Sequence, residues 1–236
     1  RETIEYRRDI HQHPEASMHE FRTTDRICEE LDKLGVNYKR MEPTGVVAEV
    51  KGTKADSDKL IVLRGDIDAL SIAEKTDLPF KSVNEGFMHA CGHDTHNAML
   101  LGAVKVILKM RDEFAGTVRF LFQPGEETCE GAPAMIKQGA LDGADYAFGI
   151  HISSTLPCGH IAAMPGASHA ATDRYWITMN GKTAHGADPK NGIDAAVAGA
   201  ATVMALQTLV SREYDPADPL VVTVGQIHSG SRFNII

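Results

Sequence analysis

Short apolar runs alternate with helical patterns along the first 150 residues, and this alternation constrains the fold more than any other feature. Helices are predicted over the charged N-terminal segment and at 21–34, 95–110 and 132–138. Strands are predicted at 46–50, 60–63, 117–122 and 146–150, the last as a buried strand. Strands separated by helices favour an α/β fold, a mostly parallel sheet with helices on both faces.

The pattern changes near 159–168, a stretch rich in Gly, Pro and Ala. It is followed by a predicted strand at 174–179, an Ala-rich helix at 193–212 and a strand at 220–227. We therefore expect an α/β domain over 1–167 and a smaller, incomplete α+β domain over 168–236. Because no Met begins the chain and an apolar run ends it, we expect the sequence to be part of a longer protein.

Charge and cysteine content exclude several classes of protein. The 24 Lys and Arg against 32 Asp and Glu give a net charge of −8, which argues against nucleic acid or anionic membrane as the main partner. The sequence contains no uncharged stretch of about 18 apolar residues, so no membrane-spanning helix is expected. Four cysteines in 236 residues are too few for a disulfide scaffold, so we expect a reducing compartment, the cytoplasm.

Reactive side chains follow three of the predicted strands directly. Because ligands bind beyond the carboxyl ends of strands in an open parallel sheet, these side chains are expected at one edge. Taken singly, an Asp after a strand is most often a turn or helix-capping residue. The three sets are Arg64, Asp66 and Asp68; Gln123, Glu126 and Glu127; and His151.

The densest cluster of reactive residues is the segment 89–96, which precedes a predicted helix. Cys91 and His93 flank a predicted Gly92 turn, and thiolate with imidazole suits Zn²⁺, with Mn²⁺, Co²⁺ or Ni²⁺ as further candidates. We expect the helix N-terminus to lower the pKa of the Cys91 thiol. Two alternatives stay open at this point: a buried turn whose histidines cap the helix, and a Cys91–His93 nucleophilic pair.

Several neighbouring residues have weaker assignments. Glu126 and Glu127 follow a Gln-Pro-Gly turn at the sheet edge, so we favour metal binding by one and general-base catalysis by the other over solvated surface charge. Asp94 either orients a ligand histidine or caps the helix. The remaining expectations are an Arg64–Asp66 ion pair, a core position for Cys28, and no assigned role for His11, His13, His160 and His169. His96 is expected to be a packed histidine in preference to one that supports a metal ligand.

Six ordered motifs carry a resemblance to a known family. They are Arg8–Glu15, Arg64–Leu70, Met88–Asp94, Gln123–Glu127 with the later His151, Gly181–His185, and Gly230 followed by Asn234–Ile236. With them the sequence resembles the aminoacylase, hippurate hydrolase and auxin-amino-acid-conjugate hydrolase group of dinuclear metallopeptidases. The resemblance spans nearly the whole chain.

The resemblance implies a specific chemistry: hydrolysis of N-acyl amino acids or similar conjugates to a carboxylate and an amino acid. It implies a small-molecule substrate and two divalent metal ions, Zn or Mn before Co or Ni. It also implies that 1–167 is part of the catalytic domain and that 168–236 is a lid domain through which a homodimer forms. Glu126 would be the general base toward a metal-activated water, and His185 would support the oxyanion in a neighbouring subunit. Asn234 would contact substrate, and the implied metal ligands are Cys91, His93, Glu127 and His151.

One family feature has no counterpart in this sequence. The family takes a further His ligand from a C-terminal segment, and the chain ends before such a segment. The alternatives are therefore an inactive binding or assembly fragment of the family, or a hydrolase that uses Cys91 as its nucleophile. Chelator sensitivity would favour the metal-dependent reaction, and inactivation by alkylation alone would favour the cysteine nucleophile.

Overall fold

The computed structural model describes residues 1–166 and 170–236. The chain forms two compact units, Arg1–Gly159 and His160–Ile236. Residue 167, where the sequence predicts a boundary, and His169 lie outside the described residues. The division into domains 1–167 and 168–236 stays a prediction.

The first unit alternates helices and strands as the sequence predicts. Apolar residues three or four apart form the buried side of α2, and Gly35 ends that helix in the left-handed conformation, with φ of 64°. The elements are α1 (Glu2–Gln12), α2 (Phe21–Leu34), β1 (Tyr38–Arg40), β2 (Val46–Lys51), β3 (Leu60–Asp66), α3 (His93–Lys109), β4 (Thr117–Gln123), α4 (Gly131–Lys137) and β5 (Tyr146–Gly149).

The five strands form one mixed sheet in the order β1-β2-β4-β3-β5. β3 is parallel to both β4 and β5, whereas β2 runs antiparallel to β1 and β4. Asp66 lies opposite Gln123, and Arg64 lies opposite Gly149. The three parallel strands therefore end at the same edge, and the polar residues that follow them are brought to that edge.

Helices cover both faces of the sheet, as predicted. Successive strand side chains point to opposite faces, so Phe120 and Phe122 lie on one face and Leu121 lies on the other. The two phenylalanines belong to a core shared with α1, α2 and α3. Leu121 packs in a second core with Val62 and with Met135 of α4. The α/β layering is therefore confirmed.

The prediction that 146–150 is a buried strand is wrong in its burial. β5 forms and pairs with β3, but all four of its residues are exposed, including Tyr146 and Phe148. β5 lies at the edge of the described sheet, and more than half of the surface of Tyr146 and of Phe148 is exposed. Apolar composition alone does not show whether a strand is covered.

A loop excursion separates β3 from the turn that begins α3. Its base is closed by two backbone hydrogen bonds of 3.1 Å, from Leu70 N to Met88 O and from Met88 N to Leu70 O. Asp68 comes two residues before this base, and Cys91 comes three residues after it. The base therefore fixes both ends of the excursion beside the carboxyl end of β3.

The second unit contains a 3₁₀ turn, Pro189–Asn191, and α5, Ala195–Thr208, which continues as a π turn, Leu209–Glu213. The strands predicted at 174–179 and 220–227 are wrong: the backbone there is described and pairs with no strand in this unit, and Trp176 and Val221 are exposed. An apolar run becomes a strand only where a neighbouring strand accepts its backbone hydrogen bonds. By length and composition Ala195–Glu213 could cross a membrane, which corrects the expectation that no segment could.

Candidate metal centre

The turn before α3 brings a thiol and an imidazole to the carboxyl end of β3. Gly92 adopts φ of 87°, a left-handed conformation that glycine reaches without strain, and α3 begins at the next residue. One ligand atom each of Cys91, His93 and His151 lie within 4.8 Å of one another. His93 also groups in this way with Glu126 and Glu127. The two groups share His93 and include all four predicted metal ligands.

His93 is oriented by the carboxylate that follows β3. Its Nδ1 donates to Asp68 Oδ1 at 3.1 Å and to the Asp68 carbonyl at 3.0 Å. A neutral imidazole with its proton on Nδ1 presents a lone pair at Nε2. Nε2 is buried and has no hydrogen-bond partner among the described residues, so its lone pair is available to a cation. A carboxylate behind a histidine is the usual support of a metal ligand.

His151 presents its lone pair in the same way. Its Nδ1 donates to the carbonyl of Ile152 at 2.6 Å, which leaves Nε2 unprotonated. Nε2 lies 3.3 Å from Cys91 Sγ. Two imidazole lone pairs and one thiol therefore converge, and these are ligand types that Zn²⁺ and related ions bind.

Two carboxylates complete the cluster. Glu127 Oε1 lies 3.8 Å and Glu126 Oε2 lies 3.9 Å from His93 Nε2. Glu127 Oε1 is buried without a hydrogen-bond partner in the described chain. Burial and the charges of Glu126 and Asp68 raise the pKa of Glu127. A divalent cation would offset this crowding of acids, so the donor set fits the metal that the sequence predicts.

The turn that carries the glutamates is held from both sides. The buried carboxylate of Glu20 accepts hydrogen bonds from Gly125 N at 2.8 Å and Thr44 Oγ1 at 2.5 Å. Asp68 Oδ2 accepts from Glu127 N at 3.0 Å and from Ser17 Oγ at 2.6 Å. The same carboxylate that orients His93 thus also fixes the backbone of Glu127.

The expected effect of the helix on the Cys91 thiol is wrong. Burial and the negative charges of Glu127, Glu126 and Asp66 raise the pKa of Cys91 to about 12. The acids outweigh the helix, since Cys91 lies before the Gly92 cap rather than in the first turn. At neutral pH almost no thiolate forms without a cation, which argues against a cysteine nucleophile. A coordinated metal ion deprotonates a thiol outright.

A third group, Asp66, His93 and His96, has the spacing of a metal site, but Asp66 and His96 are engaged by other partners. Asp66 Oδ1 accepts from His96 Nδ1 at 2.6 Å, and Asp66 Oδ2 pairs with Arg64 at 2.6 Å. The predicted Arg64–Asp66 ion pair is therefore confirmed. Burial opposes ionisation of Asp66, but His96, Arg64 and His93 together hold its pKa below the usual range.

Asp94 neither orients a ligand nor caps α3, contrary to both expectations. Its side chain accepts from His11 Nδ1 at 2.9 Å and pairs with Arg7 at 2.5 Å. His11 Nε2 lies 3.4 Å from Glu74, and the hydrogen bond to Asp94 raises the pKa of His11. The sequence analysis did not predict this network. The signal that could have indicated it is the pair Arg7 and His11, which lie four residues apart on one side of α1. Cys28 is buried in the core, as expected.

Within the second unit, the structure brings together the two residues that the sequence assigns to substrate. Gly186 N donates to the Asn234 carbonyl at 2.8 Å, and His185 forms a bridge with Ile235. A Cβ on Gly186 would lie 3.3 Å from the Asn234 backbone, so glycine permits this approach. The His185 side chain is exposed, with Nδ1 accepting from Ala187 N at 3.1 Å.

Residues 62–235 match the model of Peptidase family M20/M25/M40. The chain belongs to this family. It is 43% identical over 99% of its length to thermostable carboxypeptidase 1 of Saccharolobus solfataricus, covering 60% of that protein. It is 41% identical over its whole length to the N-acyl-L-amino acid amidohydrolase of Geobacillus stearothermophilus, covering 64% of it.

A solved M20 structure is also similar. The Bacillus subtilis YXEP protein, described as a dinuclear metal-binding peptidase of the M20 family, matches with a TM-score of 0.65 and 43% identity. The match covers 67% of this chain and 44% of that chain. The chain thus spans about 60% of the length of the curated M20 relatives named above.

Proposed function

We propose that the intact protein is a metal-dependent amidohydrolase that cleaves N-acyl amino acids or similar conjugates. The observation that carries this proposal is the convergence of ligand atoms from Cys91, His93, Glu127 and His151. Both imidazoles donate through Nδ1 and present Nε2, the arrangement that ligation requires. The dinuclear metal binding described for the similar YXEP structure supports two ions.

Glu126 is the proposed general base. When bound, two divalent cations lower the pKa of a water molecule and polarise the amide carbonyl. The Glu126 side chain is 41% exposed and lies beside His93 Nε2, so its carboxylate can reach a water in the open side of the cluster. It would take the proton of that water and deliver it to the leaving amine nitrogen. Glu127, held through its backbone by Asp68, would stay with the metal.

The substrate class follows from what the named relatives have in common. A carboxypeptidase and an N-acyl-amino-acid amidohydrolase both cleave an amide whose nitrogen belongs to an amino acid. We propose the same bond here, with Asn234 contacting substrate and His185 supporting the oxyanion of a neighbouring subunit. The proposal also includes a homodimer formed through the second unit and Zn²⁺ or Mn²⁺ as the metal. We further propose that the protein is cytoplasmic, because a reducing compartment keeps its four cysteines as free thiols.

Metal analysis tests the site before any substrate is known. The intact protein, purified without chelator, is expected to hold close to two ions of Zn²⁺ or Mn²⁺ per chain by elemental analysis. Cys91→Ala is expected to lose metal, and Cys158→Ala, which changes an exposed cysteine in the same unit, is the matched control. A wild-type protein without metal, or equal metal in both variants, contradicts the ligand assignment.

Hydrolysis tests the general base separately. Glu126→Gln is expected to keep its metal and to lose at least 10²-fold in kcat toward N-acetyl amino acids, because an amide cannot carry the proton. An unchanged kcat rules out the assigned role. Inactivation by alkylation without sensitivity to chelators would favour the cysteine nucleophile, and a dimer that holds no metal and cleaves no amide would favour the assembly fragment.

A further inference from the structure

His96 lies behind the cluster, in the first turn of α3, and is 2% exposed. Its Nδ1 donates to Asp66 Oδ1 at 2.6 Å, which places the single proton of a neutral imidazole on Nδ1. Its Nε2 accepts a hydrogen bond from the backbone N–H of Ile152 at 2.9 Å. A protonated Nε2 would oppose that N–H, so the two hydrogen bonds together specify one tautomer.

The residue that His96 holds is the one that orients His151. Ile152 donates its N–H to His96, and its carbonyl accepts from His151 Nδ1 at 2.6 Å. Because Nδ1 is engaged, His151 presents Nε2 toward Cys91 Sγ at 3.3 Å. The His96 and His151 rings also meet edge to face, with centroids 4.6 Å apart.

Two glycines allow this arrangement to be close. A Cβ at Gly65 would lie 3.1 Å from the His96 carbonyl, so glycine lets the first turn of α3 approach β3. A Cβ at Gly92 would lie 2.3 Å from Ile152 Cδ1, so the Ile152 side chain occupies the space over the turn. Ile152 is thus hydrogen-bonded through its backbone to His96, and its side chain lies against the turn that separates Cys91 from His93.

This support matters because His151 lies on an exposed segment. His151 follows the exposed edge strand β5 and is itself exposed. Cys91 and His93, by contrast, are tied to the start of α3, and His93 has its own carboxylate. The hydrogen bond from Ile152 to His96 therefore connects the exposed segment to the buried part of the site.

We propose that His96 is a positioning residue for His151: Asp66 fixes the His96 tautomer, His96 holds the Ile152 N–H, and the Ile152 carbonyl orients the His151 imidazole. The inference rests on the proposed function in that His151 is taken as a metal ligand. The hydrogen bonds of this chain are made between protein atoms alone, so they can be tested in the metal-free protein even if the metal assignment fails.

Two substitutions separate the bonds that His96 makes. His96→Gln places an amide oxygen near the position of Nε2 and keeps an acceptor for Ile152 N–H, whereas His96→Asn keeps only a donor near Nδ1 for Asp66. The intact wild-type and variant proteins are titrated with Zn²⁺ against a chromogenic chelator. We expect a 10- to 100-fold weaker affinity for His96→Asn and at most a few-fold change for His96→Gln. Equal affinities of the Asn variant and the wild type overturn the proposal.

Imidazole ¹H–¹⁵N spectra of the metal-free proteins give a second readout that general destabilisation does not mimic. In the wild type, His96 and His151 are both expected to carry their proton on Nδ1. In His96→Asn the His151 signal is expected to shift toward a mixture of tautomers. A wild-type His96 with its proton on Nε2 overturns the proposal whatever the variants do. If the spectrum is as expected but the wild-type protein binds no Zn²⁺ in the titration, the result counts only against the proposed function.

Discussion

Asp68→Asn tests how the buried carboxylate behind His93 contributes to metal binding and to stability. Asp68 is fully buried; Oδ1 accepts from His93 Nδ1, and Oδ2 accepts from Ser17 Oγ and Glu127 N. If the new amide group faces Glu127 N, two donors oppose each other. If it faces His93 Nδ1, the imidazole must move its proton to Nε2, the atom that would bind metal.

The size of the effect follows from these two alternatives. Loss of a group that orients a ligand weakens metal binding about 10- to 100-fold, or about 1.4–2.7 kcal/mol. An unsatisfied buried donor adds a loss of about 1–3 kcal/mol in the free energy of unfolding. Both quantities are measured on the intact protein, the first by Zn²⁺ competition against a chelator and the second by urea unfolding.

Ser17→Ala is the matched control for Asp68→Asn. It removes one hydrogen bond from Oδ2 and leaves the bond between His93 and Asp68 Oδ1 unchanged. We expect its Zn²⁺ affinity to stay within about threefold of the wild type, since no metal ligand loses its orienting partner. A folded Asp68→Asn protein that binds Zn²⁺ as tightly as Ser17→Ala would refute the argument that the carboxylate sets the His93 tautomer.

Three further predictions concern the surroundings of the site. Glu20→Ala removes the buried acceptor of the Gly125 N–H and of Thr44 Oγ1, so we expect urea unfolding to show a loss of about 1–3 kcal/mol, against no change for the exposed Glu85→Ala. The hydrogen bond to Asp94 raises the pKa of His11, so its stabilisation is complete below pH 6.5 and is lost as the pH rises through the folded value. His11→Gln should therefore cost about 1.5–3 kcal/mol at pH 5.5 and less at pH 8.5, and an equal loss at both pH values excludes a charged His11. Chelator treatment should lower the unfolding midpoint, because an ion at 100 times its dissociation constant adds about 2.7 kcal/mol, and re-added Zn²⁺ or Mn²⁺ should restore it.

Much of the first unit was predictable from local sequence. Parallel strands that end in Asp66 and Gln123 were visible as apolar runs followed by polar residues, and their ends do meet. The Gly92 turn was predictable because a glycine just before a predicted helix reaches the positive φ that a tight turn requires. These features depend on residues close together in the chain, where period and turn chemistry carry the information.

The features that could not be predicted depend on distant parts of the chain. The exposure of Tyr146 in β5 depends on what covers an edge strand, which its own residues do not encode. Burial, together with acids more than 20 residues away in sequence, raises the pKa of Cys91 against the effect of the nearby helix. The contact of His11 with Asp94 joins residues 83 apart in sequence. Local patterns do not report such charges and contacts.

The paired backbone of Leu70 and Met88 has a consequence for how this family can diversify. Because two hydrogen bonds close the base of the excursion, residues can be inserted at its tip without moving Asp68 on one side or Cys91 on the other. The length of the tip can thus change independently of these two residues. Loop length can therefore vary among relatives of this chain while the backbone positions of Asp68 and Cys91 stay unchanged.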